Sequence, residues 1–235
     1  MRDRKRILIV NAFFDEYRRT RGSPARVPRA MGPEYLAGAF AAERSDIRLY
    51  NEQYSGPLRD LALLAWCDML VLTGVTTAFD RMRQLTAYVR ALNPKAVVVA
   101  GGPPVRALPR LSQRIFDYAC TGDVEELQGV IAAVFGESHV AAEIFPRYDL
   151  GPRRGLLGYV ESSRNCNFRC SFCSLTGEGG RYRRYDLDYL QRQILATGKR
   201  QIVFIDNNFY GNDRDYLMAR LALLKELRAA GRIDG

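Results

Sequence analysis

The chain has 235 residues, 47% of them hydrophobic and 26% charged, with a formal net charge of +9. That length allows one large domain or two modest ones around a real core, and the composition excludes a disordered chain. A membrane span is not expected either, because the best apolar run, residues 58–73, is interrupted by Arg59, Asp60 and Asp68.

The N-terminus is basic and then apolar, but charged residues follow at once with no small-residue cleavage site, so residues 6–11 (RILIVN) read as a first strand. A Pro- and Arg-rich stretch runs to Gly32 and holds Arg18, Arg19, Arg21, Arg26 and Arg29, part of the positive excess. A solvated basic loop explains it. Attraction to an anionic partner is the other reading, and without any nucleic-acid-binding motif, nucleic acid is not expected as that partner.

Residues 33–44 (PEYLAGAFAAER) read as a helix opened by proline. A strand at 46–51, a helix at 58–66 and a strand at 69–74 follow. Residues 77–94 form an amphipathic helix with Phe79, Met82, Leu85, Tyr88, Val89 and Leu92 on one face. The continuously apolar AVVVAGGPP (96–104), a strand in 116–123 and a helix at 124–135 complete the first half. Such alternation calls for a parallel sheet covered on both faces. Five strands suit a flavodoxin-like, doubly wound α/β fold, whose ligands sit beyond the strands' carboxyl ends. The candidate loops are therefore 11–14, 73–77, 101–104 and 121–123.

Residues 136–155 lack periodicity and contain Pro146, Pro152 and the sole histidine, His139, read as a surface residue. The expected organisation is a domain at 1–140, a linker at 141–156 and a second domain at 157–235. In the second, a strand from Gly155 feeds a cysteine-rich loop. Residues 186–198 read as a helix with an Asp N-cap and a Gly stop. Residues 201–209 form a strand and 213–231 a long amphipathic helix. This β-α-β-α order looks like the opening of an α/β barrel.

Five cysteines are present. Cys67 and Cys120 lie in apolar contexts and read as buried free thiols, and without a secretion signal a disulfide framework is not expected. Cys166, Cys170 and Cys173 are spaced C-x3-C-x2-C. Three thiolates bind soft metals. Structural zinc wants four ligands, and no second Cys pair or His lies at finger spacing. A cubane iron–sulfur cluster held by three cysteines keeps one iron open, and Arg164 and Arg169 would help hold its anionic ligands.

Cys166, Cys170, Phe172 and Cys173, on a loop after a strand, resemble the signature of radical S-adenosylmethionine enzymes. The resemblance implies that the three cysteines ligate a [4Fe-4S] cluster, that S-adenosylmethionine chelates the fourth iron and is reductively cleaved there, and that Phe172 packs near the adenosyl group. IVFIDNNF resembles the second barrel strand of a subgroup, implying contacts of Asp206, Asn207 and Asn208 with the amino group of S-adenosylmethionine. PEYLAGAF, DIRLYNE, LTGVTT, VVVAGGPP and TGDVEEL resemble the recurring stretches of the cobalamin-binding domain that precedes some such barrels. By that resemblance Thr73, Gly74, Thr76, Gly101, Gly102, Thr121 and Gly122 would contact cobalamin. Pro104 stands where the family usually has histidine, and no Asp-x-His-x-x-Gly run is present, so no histidine of this domain is expected on cobalt.

A radical S-adenosylmethionine barrel usually has six β-α units, a partial (β/α)6 barrel. The sequence stops where a third strand would begin, so the expectation is a fragment of a longer protein. Completion by a partner chain and an inactive remnant are the other readings. The implied activity is methyl transfer to an unactivated carbon with cobalamin, or a radical rearrangement, cyclisation or oxidation without it. A small-molecule substrate, an electron donor such as flavodoxin or ferredoxin, and a cytoplasmic location go with it. Two alternatives remain open at this point: a non-catalytic cobalamin and iron–sulfur module serving structure or electron transfer, and a zinc-stabilised binding protein.

Overall fold

The computed structural model describes residues 4–13, 30–151, 155–178 and 180–234. The basic stretch that holds Arg18 to Arg29, and Phe14 of the first candidate loop, lie outside the described residues. The chain divides into two units, Met1–Gly151 and Pro152–Gly235.

The first unit is built on five parallel strands: β1 (Lys5–Ala12), β2 (Ser45–Asn51), β3 (Met69–Gly74), β4 (Val97–Gly101) and β5 (Tyr118–Cys120). Their order is β2-β1-β3-β4-β5, the flavodoxin-like arrangement. Side chains alternate between the faces of a strand, and both faces are apolar. Leu8, Val10, Leu70, Leu72, Val98 and Ala100 pack with Leu64, Phe79, Met82, Leu85 and Val89 on one side. Ile7, Ile9, Ile47, Met69, Val71 and Val99 pack with Ala37, Phe40, Val124, Leu127 and Ile131 on the other. The helices responsible are α1 (Gly32–Ala37), α2 (Glu52–Ser55), α3 (Leu61–Trp66), α4 (Phe79–Leu92), α5 (Pro103–Ala107), α6 (Pro109–Ile115) and α7 (Val124–Phe135). Each fully buried aliphatic side chain contributes about 1.5–3 kcal/mol, so a two-faced sheet of this kind stands only when both sides are covered. Near the switch between β1 and β3, Glu52 is fully buried. It accepts hydrogen bonds from Phe13 N at 3.1 Å and Leu58 N at 2.8 Å and pairs with Arg81 at 2.8 Å, tying the end of β1 to the start of α2 and to α4.

Several expectations are corrected. The helix expected over 33–44 stops at Ala37, because Gly38 lies against the Phe145 backbone and Phe40 is drawn into an antiparallel bridge with Val140. Residues 140–150 are held on the first unit: Ala141 N donates to Ala39 O and Arg147 N to Glu34 O. His139 is buried at 3% exposure rather than on the surface; its ring packs against Phe135 and its carbonyl accepts Ala41 N. Lys5, the first residue of β1, lies over the same Phe135 ring, which places His139 at the amino edge of the sheet.

The second unit holds β6 (Leu157–Val160) and β9 (Gln201–Phe204) as a parallel pair, joined through α9 (Leu187–Thr197) and followed by α10 (Arg214–Ala229). Val160, Leu190, Ile194, Leu223, Leu227 and Ile233 form its core. Asp186 occupies the N-cap of α9 without a side-chain capping bond, whereas Asp213 caps α10 by accepting from Tyr216 N. Gly198 ends α9 in the left-handed region. A short antiparallel pair, β7 (Ser163–Arg164) with β8 (Arg183–Arg184), brackets the cysteine loop and the one-turn α8 (Ser174–Glu178). The strand expected over 201–209 ends at Phe204, because Asp206 turns inward to bond Ser162 and Ser163.

Two outcomes follow for the first unit. Gly38→Ala drives a methyl into the Phe145 carbonyl and should lower the thermal midpoint, at a cost of about 1–3 kcal/mol, whereas Gly129→Ala, with open space on α7, should raise stability by about 0.5–1 kcal/mol; thermal denaturation compares them. Burial pushes the Cys67 thiol up to about 11 and the Cys120 thiol up to about 12. Both should therefore resist iodoacetamide at pH 8 in the native chain, while the three loop cysteines react, as peptide mass mapping would show.

Candidate functional site

In the first unit the candidate loops line the carboxyl edge of the sheet. Thr73 and Gly74 end β3, Thr76 is exposed just beyond, Gly101 ends β4 with Gly102 next, and Thr121 and Gly122 follow β5. These loops abut one another. A Cβ on Gly74 would lie 2.7 Å from Ala12 O, and Gly102, at φ +90°, presents its missing Cβ 3.1 Å from Thr73 Oγ1. The glycines are thus required by loop packing, and they also leave backbone open at the rim. Arg106 donates to Thr121 O, Gly122 O and Asp123, each at 2.9 Å, binding the loops after β4 and β5 together. Asn11, 6% exposed at the end of β1, donates to Asn51 Oδ1 at 3.1 Å. Glu52, Arg81 and Arg106 were missed in the sequence; the one signal was the charge of Glu52 placed just past the end of β2.

In the second unit the loop of Cys166, Cys170 and Cys173 leaves β7 through Asn165, which adopts φ 62°, a conformation asparagine tolerates. The loop is shaped by its own backbone. Cys173 N donates to Cys170 O and Thr176 N to Cys173 O, each at 3.1 Å, and Thr176 Oγ1 reaches Cys170 O at 2.9 Å. Asn165 Nδ2 donates to Arg181 O and Asn167 Nδ2 to Gly211 O. All three thiols are free and half-buried. Phe172 stands 90% exposed between two of them. By donor chemistry the set suits a soft metal or an iron–sulfur cluster. Among the described residues, however, no three His, Cys, Asp or Glu side chains are arranged to hold a metal ion.

The residues expected at the end of β9 separate. Asn208 reaches the cysteine loop, donating to Asn167 Oδ1 at 2.7 Å and accepting from Gly211 N. Asn207 is exposed. Asp206 is not presented to a ligand: its side chain is fully buried, accepting from Ser162 N at 3.0 Å, Ser162 Oγ at 2.7 Å and Ser163 Oγ at 2.5 Å. Arg220, also fully buried, lies 3.9 Å from Asp206 and donates to Ser162 Oγ at 2.6 Å and to Phe209 O. Its guanidinium sits 4.0 Å from the Phe209 ring centroid and 4.6 Å from that of Tyr216. Tyr216 OH donates to Ser162 O and Tyr185 O, and burial pushes its phenol up to about 12, which keeps the donor proton in place. Burial likewise raises Tyr185. Sequence reasoning missed Ser162, Ser163, Tyr216 and Arg220. The signal for Arg220 was its spacing, three and seven residues before Leu223 and Leu227 on the apolar face of α10.

Comparison with known proteins agrees with the first unit. Residues 24–143, half of the chain, match the B12 binding domain. The chain is similar to a hopanoid C-2 methylase of Rhodopseudomonas palustris, 27% identical over 84% of this chain and 40% of that protein. It is also similar to an uncharacterised methyltransferase of Pyrococcus horikoshii (24% identical, 68% of this chain and 44% of that protein). A ribosomal protein uS12 methylthiotransferase of Zymomonas mobilis is 26% identical over 55% of this chain and 31% of its own. The chain thus spans less than half the length of the curated relatives it matches. On its five-stranded parallel sheet and the match over residues 24–143, the chain belongs to the B12 binding domain family.

Proposed function

We propose that the chain is part of a cobalamin-dependent radical S-adenosylmethionine enzyme that transfers a methyl group to carbon in a small-molecule substrate. One juxtaposition carries the reading: a B12 binding domain is followed in the same chain by a C-x3-C-x2-C loop beyond the carboxyl end of a strand in a β-α-β unit. The likeness to proteins named methylase and methyltransferase supports it.

A bound [4Fe-4S] cluster would supply the electron that cleaves the sulfonium of S-adenosylmethionine. Cys166, Cys170 and Cys173 would hold it, and a set of three leaves one iron for the co-substrate. Phe172 would cover the adenosyl group with the ring it now exposes, and the Asn207 and Asn208 amide oxygens would accept from the co-substrate's amino group. Thr73, Gly74, Thr76, Gly101, Gly102, Thr121 and Gly122 would border cobalamin at the carboxyl edge of the first sheet. The protein's part is orientation, while the cofactors carry the difficult chemistry. A flavodoxin or ferredoxin would deliver the electron, and a cytoplasmic location would go with such a donor.

Anaerobic reconstitution tests the cysteine reading. About four irons per chain are expected, with an electron paramagnetic resonance signal that changes on adding S-adenosylmethionine. Cys170→Ala should abolish both, and Cys67→Ala should leave both intact. Iron without the response would favour a non-catalytic module, and zinc in its place would overturn the proposal. For cobalt, the buried His139 at the amino edge of the sheet predicts that 15N-histidine labelling leaves the cob(II)alamin hyperfine pattern unchanged. A pattern altered by the label would put His139 on the metal.

A further inference from the structure

The second unit buries a polar cluster that the proposed chemistry does not use. Arg220, Ser162, Ser163 and the Asp206 side chain are fully buried, and they come from three separate segments: α10, the turn after β9, and the two residues that lead into the cysteine loop. Arg220 donates to Ser162 Oγ and to Phe209 O, and Ser162 Oγ in turn donates to Asp206. Tyr216 OH closes the cluster from α10 onto the carbonyls of Ser162 and Tyr185. Among the described residues, Arg220 Nε has no hydrogen-bond partner.

A buried pair that lacks full hydrogen bonding is not retained for stability alone, since apolar side chains of like volume usually do as well. What it fixes here is register. The Asp206 carboxylate spans the turn after β9 and the root of the cysteine loop, and Arg220 holds that carboxylate while sandwiched by Phe209 and Tyr216. We infer that Arg220 and Asp206 are positioning residues that set the root of the cysteine loop against the end of β9 before any metal arrives. Asp206 acts through Ser162 and Ser163, not on the co-substrate. The inference rests on the proposed function only where it concerns cluster uptake.

Amide hydrogen exchange on the 235-residue chain without metal tests it, with Arg220→Met, Asp206→Asn and the milder Arg220→Lys. The Ser162 amide, which donates to Asp206, and the Tyr185 and Ile205 amides beside it should exchange about tenfold faster or more in Arg220→Met and Asp206→Asn, with Arg220→Lys in between. The α9 amides should keep wild-type protection, which shows that the unit remains folded. Iron retained after reconstitution should fall in the same order. Unchanged exchange at Ser162 and Ile205, or acceleration spread evenly through α9 as well, overturns the inference. So does a loosened root with wild-type iron content. If the wild-type chain itself takes up no iron, the cysteine reading fails, and exchange alone decides the positioning role.

Discussion

The second unit depends on one buried guanidinium. Arg220 is a buried guanidinium at a site closed to water, and among the described residues the Asp206 carboxylate, a serine hydroxyl, a carbonyl and two aromatic faces surround it. Stripping a buried ion of its partner costs about 3–5 kcal/mol, so the geometry around it is held tightly. The turn after β9 cannot extend as strand because Asp206 must face inward. Ser162, just before β7, and Ser163, its first residue, cannot drift because their hydroxyls and one amide are committed to Asp206. The cysteine loop therefore leaves from a fixed root while its own thiols stay free and half-buried, which suits the metal-binding role proposed for it.

The first unit solves a similar problem with a different pair. Glu52 and Arg81 join the end of β1, the start of α2 and α4 at the carboxyl edge of the sheet, beside the switch point where doubly wound folds bind ligands. Loop packing accounts for Gly74 and Gly102, and Arg106 ties down the loops after β4 and β5. The rim is therefore built in advance. In both units the charged pairs lie underneath the candidate site, and the groups left for a ligand are backbone, amide, thiol and aromatic.

Sequence alone determined much here. Strand and helix periods, with apolar side chains on both faces of the central strands β1, β3 and β4, required a covered parallel sheet, and five strands in that alternation gave the flavodoxin-like order. The two apolar-context cysteines read correctly as buried thiols. The C-x3-C-x2-C spacing was legible too, because it lies on one loop, and its chemistry stands as a proposal.

Tertiary structure decided the rest, because periodicity reports which side of an element is buried but not what meets it. Helix propensity in PEYLAGAFAAER lost to a bridge between Phe40 and Val140, and that same packing buried His139. Asp206 looked like a ligand at a strand end. Its partners, Ser162 forty-four residues before it and Arg220 on a later helix, became visible only when the chain had closed on itself. A charge on an apolar helix face is ambiguous in one dimension, since only the opposing surface determines whether water or a counter-charge will meet it.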